Sequence, residues 1–238
     1  MNILAIGAHP DDVEICCGGT LAKYAKQGHK VFTATATNGN VGSATLPMEE
    51  IAKIRKEEAR RAAAHIGAEY ICLDYDDEMF FEDREARLAF INLVRYCKPD
   101  VILTHSPHDY NPDHELTSKI ARDIAVMIPV AKLVTPNPPT STIPKLIYFE
   151  TVNSVGFVPT DYVDLTEEIE TKMAMCYEHK SQIAWMNDNY KDADNSDFFK
   201  KVKIIAEFRG LQCDVKYAEA FRVAHDAYRI SSKPLLPY

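Results

Sequence analysis

The segment AHPDD, residues 8–12, places a histidine and two aspartates directly after the apolar run NILAIG, which is typical of a buried strand. Imidazole and carboxylate groups are ligands that zinc and related divalent ions prefer. Asp11 and Asp12 repel each other when both are ionised, and a bound cation offsets that repulsion. The segment therefore indicates a metal site. The alternative is a polar helix cap beside a solvated histidine.

A second polar segment, THSPHDYNPDH, ends at His114, about a hundred residues later, and contains three of the eight histidines. His114 completes, with His9 and Asp12, a set of two histidines and one carboxylate that leaves an open position for water or substrate. Asp11, next to a ligand, is placed to hydrogen-bond that water and act as its base. We expect Zn²⁺ in this site, while Fe²⁺ or another divalent ion suits the same ligands.

The elements around these segments alternate between strands and helices. Strands are predicted over NILAIGA, KVFTATAT, YICLDY and DVILTHS, each followed by a segment with helical periodicity. Such alternation favours βαβ units and a mostly parallel sheet. Ligands bind such sheets at the carboxyl ends of the strands, where both polar segments fall. In the first predicted helix, the pair Gly18 and Gly19 indicates close approach of another group to the backbone.

The C-terminal third is predicted to be more irregular. A proline-rich stretch at 135–144 is expected to form an ordered excursion or a lid. It precedes a strand over KLIYFET, a helix capped by Thr166, a helix capped by Ser196, and a late strand over YAEAFRVA. With no repeat and no long linker, we expect one domain over residues 1–238 with an embellished C-terminal third.

Composition limits the classes of partner. The 238 residues are 46% hydrophobic and 26% charged, with a net charge of -8, which is typical of a globular protein and argues against nucleic acid or anionic membrane as the main partner. No stretch approaches the roughly 20 apolar residues of a membrane span. The six cysteines form no C-x-x-C pair and the N-terminus does not resemble a signal peptide. We therefore expect reduced thiols and a cytoplasmic location.

Several blocks of the sequence resemble the N-acetylglucosaminyl-phosphatidylinositol de-N-acetylase family, also called PIG-L or LmbE-like: AHPDDVEICCGGTLAKYAKQG, TNGNVGS, RKEEARRAAAHIGAE, NPDHELTS and EAFR. The resemblance implies a Rossmann-like three-layer fold and zinc-dependent removal of acetyl groups from N-acetylglucosamine-type substrates. It implies His9, Asp12 and His114 as metal ligands, Asp11 as general base and Arg55 as a substrate contact. It also implies a small-molecule amino-sugar partner and a homo-oligomer, a trimer or hexamer.

The sequence departs from this family at Asn111, where the family's H-P-D-H block has a histidine that stabilises the oxyanion or acts as acid. Asparagine can donate a hydrogen bond to an oxyanion but cannot deliver a proton at neutral pH. Three interpretations remain open: Asp11 serves as base and then as acid, His108 substitutes, or the chain binds metal and sugar with little deacetylase activity or another substrate. Asp113 either orients a ligand or caps its helix.

Other polar and aromatic residues have weaker assignments. His105 is either a buried, hydrogen-bonded residue or a support for a metal ligand. The loop DDEMFFED and Trp185 form a candidate substrate wall, with ordinary packing as the alternative. A nucleotide site is disfavoured because the early glycines lack the G-x-G-x-x-G order. Substrate choice is expected to depend on loops 76–83, 135–144 and 185–197. Four histidines are expected to be structural: His29, His65, His225 and, as a charge at a helix C-terminus, His179.

Overall fold

A computed structural model describes residues 1–189, 198–226 and 229–238. These residues contain seven strands: β1 Asn2–Gly7, β2 Lys30–Thr37, β3 Glu69–Tyr75, β4 Val101–Thr104, β5 Lys145–Phe149, β6 Asp161–Asp164 and β7 Ala218–Val223. They also contain seven α-helices: α1 Asp12–Lys26, α2 Met48–Ala64, α3 Arg84–Cys97, α4 Pro112–Asp123, α5 Ile169–Cys176, α6 Lys180–Asn189 and α7 Phe198–Gln212. Two 3₁₀ turns lie at Ile124–Val126 and Val152–Ser154.

The strands form one sheet in the order β3-β2-β1-β4-β5-β7-β6. The first five are parallel, and β7 pairs antiparallel with both β5 and β6. The predicted α/β fold with a mostly parallel sheet is thus confirmed. From β1 the chain builds outward to β2 and β3 on one side, then returns to build β4 and β5 on the other. The order in which strands are added reverses between β1 and β4, and the connections that leave these two strands on opposite faces of the sheet form the crevice where such sheets bind ligands.

Two apolar cores flank the sheet and create three layers. One face packs against α1, α5 and α7 through residues such as Leu21, Met173 and Val202. The other packs against α3 and α4 through residues such as Phe90 and Ile120. β1 lies inside the sheet between β2 and β4, and every residue from Ile3 to Gly7 is buried, as its continuous apolar run predicts. Among the described residues, no helix is both long enough and apolar enough to cross a lipid bilayer.

The prediction of a helix capped by Thr166 was wrong. The preceding residues form β6, in which Val163 is buried against the core and pairs with Glu219 of β7. Thr166 instead donates from its backbone N–H and its hydroxyl to Asp164 Oδ1, closing a turn. The helix α5 begins later, at Ile169. The alternation typical of a strand was too short to be recognised beside the helical residues that follow. Ser196, the other predicted cap, lies outside the described residues.

The glycine pair in α1 does permit a close approach, and the approaching group is a core side chain. A Cβ atom built at Gly19 would lie 2.5 Å from Leu165 Cδ1 and 3.1 Å from its Cγ. At Gly18 the nearest atom would be Lys172 Cγ at 3.6 Å, an ordinary contact. Only Gly19 is therefore needed for α1 to pack against the chain that leaves β6.

Replacing each of the two glycines by alanine should change the stability of the fold in opposite directions. We expect Gly19→Ala to destabilise the fold by about 1–3 kcal/mol, because the fully buried Leu165 has no room to move. Gly18→Ala should stabilise it by about 0.5–1 kcal/mol, because alanine is the better helix former. Urea unfolding, with an unchanged m-value, measures both free energies. Equal destabilisation by the two changes would contradict this packing.

Candidate metal centre

The metal-site residues follow β1 and β4, which are neighbours in the sheet. β1 ends at Gly7, and a Cβ there would lie 2.8 Å from Asp12 Cβ, so only glycine lets the chain turn back this closely. Asp11, between the turn and α1, has a φ of 125°, a strained conformation for a residue with a side chain. Such strain is typical of functional sites, where the surrounding structure holds it in place. On the other strand, β4 leads into the loop that begins α4 and carries His114.

Donor atoms of three residues from these two loops, His9, Asp12 and His114, lie within 4.8 Å of one another. His9 Nδ1 lies 3.2 Å from His114 Nε2 and 3.4 Å from Asp12 Oδ2, and His114 Nε2 lies 3.3 Å from Asp12 Oδ1. A tetrahedral zinc ion with bonds of about 2.0–2.1 Å separates neighbouring ligand atoms by about 3.3 Å. All three residues are buried. Their chemistry and spacing therefore fit a divalent metal ion.

Each histidine of this set has a carboxylate behind it. His114 Nδ1 lies 3.0 Å from Asp109 Oδ1, and His9 Nε2 lies 2.9 Å from Asp77 Oδ1. Carboxylates in this position hold metal-binding imidazoles in the required tautomer and orientation. Burial alone would raise the pKa of Asp77, but contact with His9 holds that pKa below its usual value. The same balance, with His114 as the partner, lowers the pKa of Asp109.

Sequence reasoning missed Asp77 as a site residue and gave Asp109 no role. Asp77 lies in the acidic loop after β3, which was interpreted only as a substrate wall. Its backbone N–H donates to Asn40 Oδ1 at 3.0 Å, which fixes the loop. The available signal was its position, because β3 also ends at the ligand-binding edge of the sheet. The role of Asp109 could not be predicted without the helical geometry of α4, because that geometry brings His114 back over the preceding loop.

His105 is buried and hydrogen-bonded, and it also supports the ligands. Its Nε2 accepts from the Ala8 N–H at 2.9 Å and lies 3.1 Å from Asp12 Oδ2. Its ring stacks on that of His114, with centroids 3.9 Å apart. Burial, followed by the nearby charge of His114, lowers the pKa of His105 to about 4, so the ring is neutral and able to accept.

Asp11 and Arg55 lie together beside the ligand set. Arg55 is buried, donates from Nη2 to the Pro10 carbonyl at 2.8 Å, and lies 3.5 Å from Asp11 Oδ1. Burial raises the pKa of Asp11 to about 6, although the charge of Arg55 acts in the opposite direction. Arg55 is therefore a buried residue of the site and not a solvent-exposed charge on the surface of α2. The loop of TNGNVG closes over its guanidinium, since a Cβ at either Gly39 or Gly42 would lie 2.6 Å from Nη1.

The side chain of Asn111 caps the N-terminus of α4. Its Oδ1 accepts from the backbone N–H groups of Asp113 at 2.7 Å and His114 at 3.4 Å, and its Nδ2 donates to Glu78 Oε1 at 3.2 Å. The interpretation of Asp113 as the helix cap was therefore wrong. Asp113 instead accepts from the Glu78 N–H at 2.9 Å and approaches His9 Nε2 to 3.4 Å.

An open cleft of about 500 Å³ joins these residues. Six of the seven predicted site residues line it: His9, Asp11, Asp12, Arg55, Asn111 and His114. His108 does not line it and is exposed. Glu78 and Trp185 are on its wall, as expected for the acidic loop and the tryptophan, while residues 190–197 of the third expected loop lie outside the described residues.

His179 has a different environment from the one predicted. It lies just after the end of α5, as predicted, but it is fully buried, and its Nε2 lies 3.3 Å from Glu14 Oε2. Burial lowers its pKa, yet the charge of Glu14 outweighs that effect and the pKa is raised. His179 thus lies at the junction of α5 and α6, and its nearest charged partner is Glu14 of α1.

The fold and site define an α/β protein with a candidate divalent-metal centre in a cleft at its topological switch point. The family model PIG-L: GlcNAc-PI de-N-acetylase matches residues 4–125, which are 122 of the 238 residues, and the chain belongs to this family. It is similar to diacetylchitobiose deacetylase of Thermococcus kodakarensis, with 28% identity over 191 residues, 76% of this chain and 70% of that protein.

Solved structures agree with this assignment. The N,N'-diacetylchitobiose deacetylase of Pyrococcus horikoshii, in complex with its inhibitor MPG, has a TM-score of 0.80 and 26% identity over 93% of this chain and 83% of that one. The 4-carboxy-2-hydroxymuconate hydratase of Pseudomonas putida KT2440 also has a TM-score of 0.80, at 21% identity over 99% of this chain and 100% of that one. The second similarity shows the fold alone, so the reaction has to be argued from the site.

We expect Asp109→Asn to weaken Zn²⁺ binding by about 10–100-fold, because the amide no longer holds the His114 imidazole as a carboxylate does. A competition titration against a chromogenic chelator measures the affinity. His108→Ala, a change at the neighbouring exposed residue, is the matched control and should leave the affinity unchanged. If the Asp109→Asn protein binds zinc as tightly as the wild type, Asp109 does not support the metal centre.

Proposed function

We propose that this protein is a metal-dependent N-deacetylase that hydrolyses the acetamide of an N-acetylated amino sugar or a related conjugate. The observation that carries the proposal is the position of Asp11, a buried carboxyl with a pKa raised to about 6, beside the His9, Asp12 and His114 donors. The similarity to diacetylchitobiose deacetylases supports this reaction class. One sheet that takes strands from both ends of the chain supports a single domain over residues 1–238.

His9, Asp12 and His114 would hold the ion, with zinc as the first candidate and Fe²⁺ as an alternative for the same donors. When bound, a divalent ion supplies a Lewis acid that polarises a carbonyl and makes water nucleophilic near neutral pH. Asp109 accepts from the outer nitrogen of the His114 imidazole, and Asp77 lies 2.9 Å from the outer nitrogen of the His9 imidazole, so both carboxylates would keep the rings oriented. The His9 backbone N–H, which donates to Asp12 Oδ2 at 2.7 Å, holds the carboxylate in place, and the His105 ring stacks on that of His114.

Asp11 takes the proton from the attacking water, whose oxygen bonds to the acetamide carbon. The same proton then passes from Asp11 to the leaving nitrogen as the carbon–nitrogen bond breaks, which yields acetate and a free amine. A carboxyl with a pKa of about 6 suits both transfers, because it is mostly ionised at neutral pH and still acidic enough to return the proton. Arg55 lies against Asp11 and also lines the cleft, where it would contact the substrate.

Asn111 would not deliver a proton in this scheme. Its Oδ1 is engaged by two backbone N–H groups of α4, and its Nδ2 points toward Glu78 at the cleft wall. We assign its remaining amide hydrogen to a substrate oxygen. His108, exposed and outside the cleft lining, is poorly placed to replace the missing histidine, so proton return is assigned to Asp11.

With Zn²⁺ bound, the protein should release acetate from N,N'-diacetylchitobiose, and chelation should abolish this release until zinc is restored. Acetate is measured by a coupled enzymatic assay, and zinc content by elemental analysis. Zinc-loaded protein that releases no acetate from chitobiose or from other N-acetylglucosamine conjugates would favour the alternative function, that of a non-catalytic metal- and sugar-binding protein.

Asp11→Asn should lower kcat by about 10²–10⁴-fold, because the general base is lost while the three metal ligands remain. Steady-state kinetics measure the rate, and the zinc content should match that of the wild type. His108→Ala should retain the wild-type kcat and the wild-type zinc content. A comparable loss of kcat in His108→Ala would contradict proton return by Asp11.

A histidine at position 111 provides a direct check of the same assignment. If Asp11 returns the proton, Asn111→His changes kcat by less than about tenfold. A gain of about 10²-fold would show instead that proton delivery limits the natural protein.

A further inference from the structure

A second, smaller cavity of about 40 Å³ adjoins the catalytic cleft. Four residues line both spaces and form the boundary between them: Ile15, Val152, Asn153 and Lys201. They come from α1, from the 3₁₀ turn that follows β5, and from the first turn of α7. The cavity thus opens off the part of the cleft that lies beside the metal-site residues of α1.

Helix α1 links the metal centre directly to this cavity. Asp11 and Asp12 are at its start, and Ile15 lies one turn later on the same face, with its N–H donating to the Asp11 carbonyl at 3.0 Å. Cys16, four residues after Asp12, also lines the cavity. At 1.5 Å per residue, the cavity wall begins about 5 Å along the helix axis from the metal ligand.

The walls of the cavity are mainly apolar. α7 contributes Val202, Ile205 and Ala206, and β7 contributes Ala218 and Ala220. All of these except Ile205 are buried. Small alanine side chains on two facing elements leave the space open, and it is lined by carbon atoms that gain from covering another apolar group.

The buried charged side chains on the wall are neutralised within the protein. Lys172 Nζ lies 2.5 Å from Glu219 Oε1 and donates to the Ile15 carbonyl at 2.6 Å. Glu150 accepts from the Arg209 guanidinium. A charged ligand would have to displace one of these pairs, which is costly in a buried site. Apart from Lys201 at the boundary with the cleft, the wall therefore favours an uncharged, apolar occupant.

We propose that this cavity receives the carbon tail of a short N-acyl group, so that the enzyme hydrolyses N-propionyl and N-butyryl amino sugars as well as N-acetyl ones. The inference rests on the proposed deacetylase function. One water-sized group needs about 10–15 Å³ of such volume, so about 40 Å³ holds two or three carbons beyond the acetyl methyl. The reaction is unchanged: water cleaves the amide and gives the amine and the short fatty acid.

The first experiment compares kcat/KM for chitobiose carrying two acetyl, two butyryl or two octanoyl groups. Each methylene buried in the cavity can raise kcat/KM by about fourfold, so the butyryl substrate should be hydrolysed at least as efficiently as the acetyl one. The octanoyl substrate should be poor, because its chain exceeds the cavity. A butyryl substrate that is hydrolysed more than tenfold less efficiently than the acetyl one would overturn the proposal.

Cavity variants test the location. Ala206→Leu fills the cavity and should lower the butyryl-to-acetyl ratio of kcat/KM by about sixteenfold, the effect of two methylenes, with acetyl turnover preserved. Ile205→Ala enlarges it and should raise turnover of substrates longer than butyryl. Ile204→Ala is the matched control, since Ile204 is the preceding residue of α7, is 52% exposed and does not line the cavity. The Ile205 and Ile204 pair tests the proposal even if Ala206→Leu does not fold.

Calorimetric titration of Asp11→Asn with the same substrates gives the chain-length preference without turnover. Binding that favours butyryl over acetyl, with the preference reduced in Ala206→Leu or shifted to longer chains in Ile205→Ala, supports the cavity. Binding that is insensitive to chain length and to both variants overturns it. If the wild type releases no acyl group while the binding preference persists, the deacetylase function fails and the cavity assignment stands. Absence of both binding and turnover overturns both.

Discussion

Two adjacent buried carboxylates, Asp11 and Asp12, impose the main constraint on this structure. An ionised carboxylate without a partner is very costly to bury, so every group around this pair has to compensate for its charge. Burial alone would raise the pKa of Asp12, yet the charge of His114 holds it well below its usual value. Burial raises the pKa of Asp11 to about 6 despite Arg55. The environment thus shifts the pKa values of the two neighbours in opposite directions. Asp12 stays ionised and suits a metal ion, whereas Asp11 can titrate as an acid–base group.

The surrounding loops are arranged to maintain that separation. Arg55 reaches from α2 under a loop whose glycines leave room for its guanidinium, and there it contacts both Asp11 and Asp77. Asp77 in turn lies against His9 on the side opposite to Asp12. Three consecutive connections of the parallel sheet, after β1, β2 and β3, therefore share one buried network of charges.

Asn111 shows how this chain resolves competing demands at the start of α4. Asparagine is among the best residues for a helix N-cap, and here it satisfies two backbone N–H groups of the turn that carries His114. The same side chain links α4 to the acidic loop through Glu78. A residue that delivered protons would have to leave at least one of these hydrogen bonds. The cap thus favours precise placement of the metal ligand, and Asp11 is left as the buried titrating group beside it.

Much of the architecture and half of the site could be predicted from local pattern. Continuous apolar runs separated by amphipathic helices identify β1 to β4 and their parallel arrangement, because right-handed crossovers leave few alternatives. The rule that ligands bind at the carboxyl ends of strands then brings His9 and Asp12 toward His114. The short strand β6 was missed because its pairing with β7 involves residues more than 50 positions away, a contact that no local period records.

The sequence by itself determined which groups can perform chemistry and at which edge of the sheet they lie, since both follow from residue type and from strand order. Only the tertiary structure decided how each group is used. It buried Arg55 and His179, left His108 exposed, and recruited Asp77 and Asp109 behind the metal ligands. Those outcomes depend on the direction of each side chain and on its distance from other charges. Both are set by long-range packing, which brings together residues that the sequence keeps far apart.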